Sequence, residues 1–285
     1  MKHGYGDAFG AGTIVNAIAT WKGAAFGISM KTEVDVELKE SDSTHINGHV
    51  GGANGADPHL IVRCVELVLE KFGLQMEGDV YSRSEIPVAK GLKSSSAAAN
   101  AAVVAALRAI GEDMEPLEIV KLGVKAAKDA GVTITGAFDD ACASFFGGAV
   151  LTNNKNMELI ERVPLEGDVL VFSPPEKTYT STVDVESCRL LAPLVEVAYS
   201  TAMAGELMQA MTINGLIYCA ALGYRTDVVM EAIRCGAAGC GISGTGPAYT
   251  AVFIDGGDIE CLREKWEEMG ADVIQTKVEN MGVEL

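Results

Sequence analysis

From Gly91 to Gly111 the chain reads GLKSSSAAANAAVVAALRAIG, three consecutive serines running directly into a stretch of alanine and valine. Few structures accommodate such a segment. Alanine is the strongest helix former, and glycine is the residue at which helices commonly stop in a left-handed turn. The segment predicts a buried helix that follows Ser96 and closes at Gly111. One serine would satisfy the open N–H groups of its first turn as an N-cap. Three serines, with Lys90 and Lys93 beside them, point further, to an anion site. A helix N-terminus presents unpaired N–H donors and the positive end of its dipole.

The rest of the chain sets the context for that anion. With 285 residues, 48% of them hydrophobic and 21% charged, it is an ordinary globular sequence with room for one large domain or two modest ones. A net charge of −17 argues against a nucleic-acid groove or an anionic membrane surface as partner. An anionic ligand in so acidic a protein needs a local basic or dipolar pocket. The seven cysteines (Cys64, Cys142, Cys188, Cys219, Cys235, Cys240, Cys261) form no CxxC pair, and the four histidines show no zinc spacing. They read as small core residues of a reducing cytosol. The opening MKHGYGDAFGAGT lacks the apolar core of a signal peptide, and the longest apolar run, Ala97 to Leu107, is too short to cross a bilayer. A soluble cytoplasmic protein is expected.

Periodicity places the other elements. Residues 31–39 alternate, with Val34, Val36 and Leu38 on one face and Glu33, Asp35 and Glu37 on the other, the pattern of a half-exposed antiparallel strand. Asn47-Gly48 reads as a turn. A helix opens at Asp57-Pro58 and runs through Phe72, with Gly73 as its C′ residue. Residues 80–84 form a short strand leading to Pro87, and a helix runs from Pro116 to about Ala130. The polar patch from Thr152 to Asn156 reads as a linker, which divides the chain into domains of residues 1–150 and 151–285. Beyond it lie a strand over 169–172, two or three helices between Glu186 and Ala238, a strand over 248–254, a helix over 259–269 and a strand over 272–278. Strands and helices mix without a regular βαβ beat, so the fold class is α+β with antiparallel sheets.

Three glycine-rich stretches stand out: Gly10-Ala11-Gly12-Thr13, Pro87 to Ala97, and Gly241 to Pro247. None is a Walker A loop or a dinucleotide fingerprint, and any one alone could be a turn. In this order they resemble the GHMP kinases, a family that includes galactokinase, homoserine kinase and mevalonate kinase. PVAKGLKSSSAAA is similar to that family's second motif, the loop that wraps ATP phosphates, and GISGTGPA to its third. GAFDDACASFFGG, from Gly136, resembles the stretch that carries the catalytic aspartate in mevalonate kinase-like members. The opening GAGTIVNAIATWKGAAFGI, from Gly10, resembles the first motif of the archaeal shikimate kinases, one branch of the family. There are departures. Ala89 and Lys90 stand where the second motif usually has glycines, the serine run is one residue longer, and Thr13 stands where some members carry a lysine.

The resemblance implies a two-domain GHMP kinase fold. Its N-terminal domain is ribosomal-protein-S5-like, its C-terminal domain is ferredoxin-like, and the active site lies in the cleft between them. It implies an ATP-dependent kinase that phosphorylates the 3-hydroxyl of shikimate to shikimate 3-phosphate, on the route to chorismate and the aromatic amino acids. Another small-molecule kinase such as homoserine kinase, or a non-catalytic ligand sensor, is the alternative. ATP, Mg²⁺ and shikimate are the implied ligands, with oligomeric state left open. The ATP loop is then Pro87, Val88, Ala89, Lys90, Gly91, Leu92, Lys93, Ser94, Ser95, Ser96 and Ala97, with the Ser96 hydroxyl available to Mg²⁺, a hard cation that takes oxygen ligands. Asp140, counted back from Gly147-Gly148, is the implied general base. Asp139 is the alternative, and one aspartate of the pair is expected to cap its helix. Lys22 is either the cation nearby, to lower the aspartate's pKa or to meet a substrate carboxylate, or a solvated surface lysine. Asn16, polar amid Ile14, Val15, Ala17 and Ile18, is either a substrate contact or a satisfied core amide. Thr245, in the third motif, is the other expected substrate contact. Arg189 and Arg225 have the chemistry to clamp a carboxylate, and nothing in the sequence selects either.

Overall fold

The computed structural model describes residues 1–51, 57–87, 90–133, 136–175 and 184–285. Val88 and Ala89 of the expected ATP loop lie outside the described residues.

Small residues at alternate positions decide the first layer. In β1 (Lys2–Val15) Gly4, Gly6, Ala8 and Gly10 are buried while Tyr5, Asp7 and Phe9 lie half-buried on the other face. β1 runs antiparallel along β2 (Lys22–Glu40), so Gly10 to Thr13 lies within a strand and not in a loop. β2 keeps the predicted alternation, with Val34, Val36 and Leu38 fully buried, but reaches back to Lys22. β3 (His45–Val50) crosses over through α1 (His59–Phe72) to β4 (Met76–Ser84), which it joins in parallel. β4 pairs with residues 32–40 of β2, and β5 (Ala149–Asn153) pairs with residues 22–26. β6 (Glu158–Val163) completes the six-stranded sheet beside β5.

α2 (Ser94–Ile110) lies on the inner face of this sheet. A Cβ at Gly4 would sit 2.0 Å from the Ala105 carbonyl oxygen, and one at Gly6 2.4 Å from that of Ala101. The helix therefore rests on the strand's backbone, a contact that needs glycine on one side and alanine on the other. This close packing, as much as helix propensity, accounts for the alanine run. α3 (Pro116–Asp129) and α4 (Phe138–Phe146) pack against α2 and against each other.

Two polar segments depart from their expected roles. Asn47-Gly48 is not a turn but lies inside β3. Gly48 is there because α1 begins over it, and a Cβ would meet Pro58 at 2.5 Å. The patch from Thr152 to Asn156 is not a linker: it finishes β5 and turns tightly into β6, with Thr152 and Asn154 buried. The change of sheet falls between Val163 and Asp168.

The second sheet comprises β7 (Asp168–Ser173), β8 (Gly239–Ile242), β9 (Tyr249–Phe253) and β10 (Asp272–Lys277), in the order β10-β7-β9-β8 and antiparallel throughout. Between β7 and β8 the described residues hold four helices where two or three were expected. They are α5 (Val185–Leu190), α6 (Ala192–Met203), α7 (Leu207–Leu222) and α8 (Asp227–Arg234), with Gly205 and Gly223, both at positive φ, marking two of the breaks. α9 (Ile259–Glu268) buries Trp266 against Phe172 of β7, ring centroids 5.5 Å apart. Cys235 and Cys261, expected as core thiols, are joined in a disulfide. α8 ends at Cys235 and α9 begins just before Cys261, and the Asp258 N–H donates to the Cys235 carbonyl at 2.8 Å, so the ends of two helices meet there. The chain then returns to the first sheet, where Glu279 exchanges backbone hydrogen bonds with Gly27 and Gly148. Among the described residues no helix is long and apolar enough to cross a membrane.

The contact of α2 with β1 yields a direct test. Gly6→Val should lower unfolding stability by about 3 kcal/mol or more, because the clash is with backbone that cannot give way locally. Urea unfolding reads this, and a loss below about 1 kcal/mol would show that the helix does not rest on the strand.

Candidate active site

Lys93 sits at the junction of loop and helix. It is the N-cap residue of α2 with φ 65°, a left-handed conformation that costs a side-chain-bearing residue about 1 kcal/mol or more. No side chain caps α2, so the serines of its first turn are not spent as caps and its first N–H groups point out of the helix end. Ser95 is exposed and Ser94 and Ser96 are half-buried there, while Leu92 and Ala97 are buried beneath them. The unusual backbone at Lys93 turns its side chain inward until only 8% of it is exposed. Its ammonium lies 2.9 Å from Asp140 Oδ1. A Cβ at Gly244 would come within 2.7 Å of the same nitrogen. One ammonium thus gathers the mouth of α2, the mouth of α4 and the turn between β8 and β9.

α4 begins beside it. Its N-cap is Ala137, also left-handed, and neither aspartate caps the helix, contrary to expectation. Both lie in the first turn, where the helix dipole favours negative charge. They face different ways. Asp140 meets Lys93, whereas Asp139 turns towards β2 and β5. There it accepts from Asn154 Nδ2 at 2.7 Å, and a Cβ on Gly23 would strike its Oδ2 at 2.4 Å. Burial, and next the charge of Asp140, push the Asp139 carboxyl up to about 7; Lys93 and the Asn154 hydrogen bond pull the other way. Asn100 of α2, wholly buried, donates from Nδ2 to the Ala141 carbonyl at 3.0 Å and so fixes the two helix mouths relative to each other.

The third glycine stretch closes the site from the second sheet. The Ser243 hydroxyl donates to the Gly91 carbonyl at 2.8 Å, and the Ala248 N–H donates to the Lys90 carbonyl at 3.1 Å. The Gly244 N–H donates to Thr13 Oγ1 at 2.9 Å, and Asn16 Nδ2 donates to the Gly244 carbonyl at 2.8 Å. Thr13 therefore holds the glycine turn. Asn16 does so too. Its Oδ1 accepts from the Ile18 N–H at 2.9 Å, its own N–H donates to Asn214 Oδ1 at 3.1 Å, and its carbonyl accepts from the Tyr218 hydroxyl at 3.2 Å. Asn16 is thus a satisfied core amide, one of its two expected readings. Thr245 is buried in the same turn, its carbonyl accepting from the Tyr224 hydroxyl at 3.0 Å.

Other expected residues stand elsewhere. Lys22 is not the cation at the aspartate. It pairs with Glu196 of α6 at 2.8 Å, both side chains nearly half-exposed, and lies 5.7 Å from the ring centre of Tyr199. Lys90 donates to the Pro174 carbonyl at the end of β7. Arg225 is paired with Asp227, and Arg189 is exposed on α5. Sequence reasoning missed Asn154, Thr152, Asn214 and Tyr218. Only their apolar or turn-like settings could have flagged them, since Asn154 meets Asp139 across 15 residues and Asn214 meets Asn16 across 198.

Comparison with known proteins fits this geometry. Residues 59–148 match the GHMP kinases N terminal domain. A protein of Methanococcoides burtonii named shikimate kinase is 54% identical over 98% of this chain and 98% of its own length. The structure of Methanococcus jannaschii mevalonate kinase superposes with a TM-score of 0.76 at 13% identity, covering 97% of this chain and 98% of that one. That of homoserine kinase from Cytophaga hutchinsonii gives 0.73 at 18% identity, covering 100% and 97%.

The Gly91 position tests the contact between the two loops. Its φ is 86° and a Cβ would lie 2.2 Å from the Ser243 carbonyl oxygen. Gly91→Ala should weaken binding of a non-hydrolysable ATP analogue about tenfold or more in calorimetric titration, with the melting temperature lowered by only a few degrees. Unchanged affinity would mean that the two glycine stretches do not shape a common site.

Proposed function

The chain belongs to the GHMP kinases, in the branch of the archaeal shikimate kinases, and from that premise we infer that it transfers the γ-phosphoryl group of ATP to the 3-hydroxyl of shikimate. The product is shikimate 3-phosphate, an intermediate on the way to chorismate and the aromatic amino acids. The observation that carries the reading is the buried Lys93–Asp140 pair at the meeting point of two uncapped helix mouths.

Phosphoryl transfer asks a protein chiefly for position and charge. The first-turn N–H groups of α2 and the backbone from Gly91 onward offer donors to phosphate oxygens, and the small residues there allow close approach. Lys93 supplies positive charge beside them, which an acidic protein must provide locally. The arrangement suits an incoming triphosphate: donors face outward, and the Lys93 ammonium sits between helix and glycine turn. Mg²⁺, arriving with the nucleotide, would neutralise phosphate charge, with the half-buried Ser96 hydroxyl as its protein ligand. Asp140 accepts the proton of the acceptor hydroxyl as that oxygen attacks phosphorus. Lys93 holds Asp140 in place until the acceptor arrives. Lys22, half-exposed and paired with Glu196, is the cation of the opening motif available to the acceptor's carboxylate. The expected substrate role of Thr245 stands as part of this proposal. The cytoplasm, where ATP is supplied, is the compartment proposed.

An ADP-coupled assay with shikimate and homoserine in parallel tests the assignment. A site built to hydrogen-bond particular hydroxyls rejects analogues lacking them by about 10⁴-fold in good cases. kcat/KM for shikimate should exceed that for homoserine by about 100-fold or more. Comparable values would overturn the choice of acceptor, and ligand binding without ADP release would overturn catalysis itself.

A further inference from the structure

We propose that Asp139 is a positioning residue for the transfer, which anchors the first turn of α4 so that Asp140 alone faces Lys93, and whose own charge helps draw the acceptor's proton onto Asp140. The inference rests on Asp140 being the base.

Adjacent residues of a helix point about 100° apart, so two neighbouring carboxyls cannot share one partner face. Here the division is enforced from outside the helix. Thr152 donates to Asn154 Oδ1 at 2.7 Å, which fixes that amide with its NH₂ towards Asp139. Asn154 then donates to Asp139 Oδ1 and accepts from the Asp139 N–H at 3.2 Å. Gly23 leaves room for the carboxyl and for nothing larger. A structural aspartate would need only the hydrogen bonds. This one is also part of a charge cluster. The charges of Asp140 on α4 and of Lys93 at the start of α2 act on it, as it acts on Cys142 of α4 and Tyr218 of α7; β2 and the end of β5 present Gly23, Thr152 and the neutral Asn154. Asp139 thus lies in the field of an ammonium that Asp140 contacts, and two carboxyls so close in a buried setting hold a proton more readily than separate ones do. The position near 7 for Asp139 follows from its burial and from Asp140.

The chemistry sets the sign. In the step, the acceptor's O–H bond breaks, its proton goes to an Asp140 oxygen, the new O–P bond forms, and the bond from phosphorus to the β,γ-bridging oxygen breaks with its electron pair leaving on ADP. Asp139 takes no proton from the substrate. Ionised, it adds negative potential next to Asp140 and eases that transfer. Protonated, it does not. Turnover should therefore rise as pH climbs through about 7.

Asp139→Asn keeps an oxygen for the Asn154 amide and removes the charge. For the wild-type protein, kcat should rise about tenfold between about pH 6 and about pH 8.5, whereas in Asp139→Asn it should stay level within about twofold near the lower value, with KM for ATP and shikimate within about threefold. Carboxyl ¹³C NMR of the wild-type protein, assigned by that variant, should show one aspartate titrating near neutrality. A variant that keeps the wild-type pH profile, or a wild-type spectrum with no aspartate titrating between about pH 6 and about pH 8, would overturn the inference. Asp140→Asn separates the two claims. A loss of about 100-fold or more in Asp140→Asn with an unaltered Asp139→Asn profile removes only the role of Asp139. Near-full turnover in Asp140→Asn removes the base assignment and this inference together.

Discussion

A lysine ammonium taken out of water loses several kcal/mol of hydration, and a carboxylate loses as much. Lys93 and Asp140 recover that loss from each other at 2.9 Å, and the surrounding structure is arranged to make the meeting unavoidable. α2 must lie where its first residue can turn inward, α4 must start within reach, and the β8–β9 turn must be glycine at Gly244 to leave the ammonium its place. Left unpaired, either charge would be a liability of about 3–5 kcal/mol in a buried site. In the proposed reaction a nucleotide would supply a second partner for Lys93, and the acceptor hydroxyl a proton for Asp140.

Holding two helix mouths in register takes close packing, and close packing takes small residues. Gly4 and Gly6 let Ala101 and Ala105 sit on strand β1, which fixes the height of α2 above the sheet. Gly23 lets Asp139 press against β2, which fixes the height of α4. Asn100 ties the two helices directly. Thr13 and Asn16 tie the glycine turn of the second sheet to the end of β1, and Ser243 ties it to Gly91. Sheet, helices and turn form one frame around a single ammonium.

Much of this was legible in the sequence because it is local. The serine run, the left-handed glycines that end α1 and α2, and the inward alternation of Val34, Val36 and Leu38 follow from short-range chemistry. The fold family was legible because its motifs are contiguous. What escaped was non-local. Lys22 stands out as a candidate cation because it lies in the opening motif, yet the partner of Asp140 is 47 residues before that aspartate, at Lys93. Asn154 looked like linker because polar residues adjoin it, whereas its amide is committed to Asp139. Gly10-Ala11-Gly12-Thr13 allowed a turn, whereas it lies in β1, because the strand that pairs with it is another segment of the chain. The Cys235–Cys261 disulfide spans 26 residues with no spacing motif to announce it.

The central claim is that Lys93 and Asp140 act as one unit in the reaction. A double-mutant cycle on kcat/KM with shikimate, using Lys93→Met, Asp140→Asn and the double variant, measures it. Residues that act as a unit give grossly non-additive losses. The double variant should be no worse, within about threefold, than the more damaged single variant. Losses that multiply, each single effect appearing in full in the double variant, would contradict the claim and leave Lys93 and Asp140 as neighbours with separate tasks.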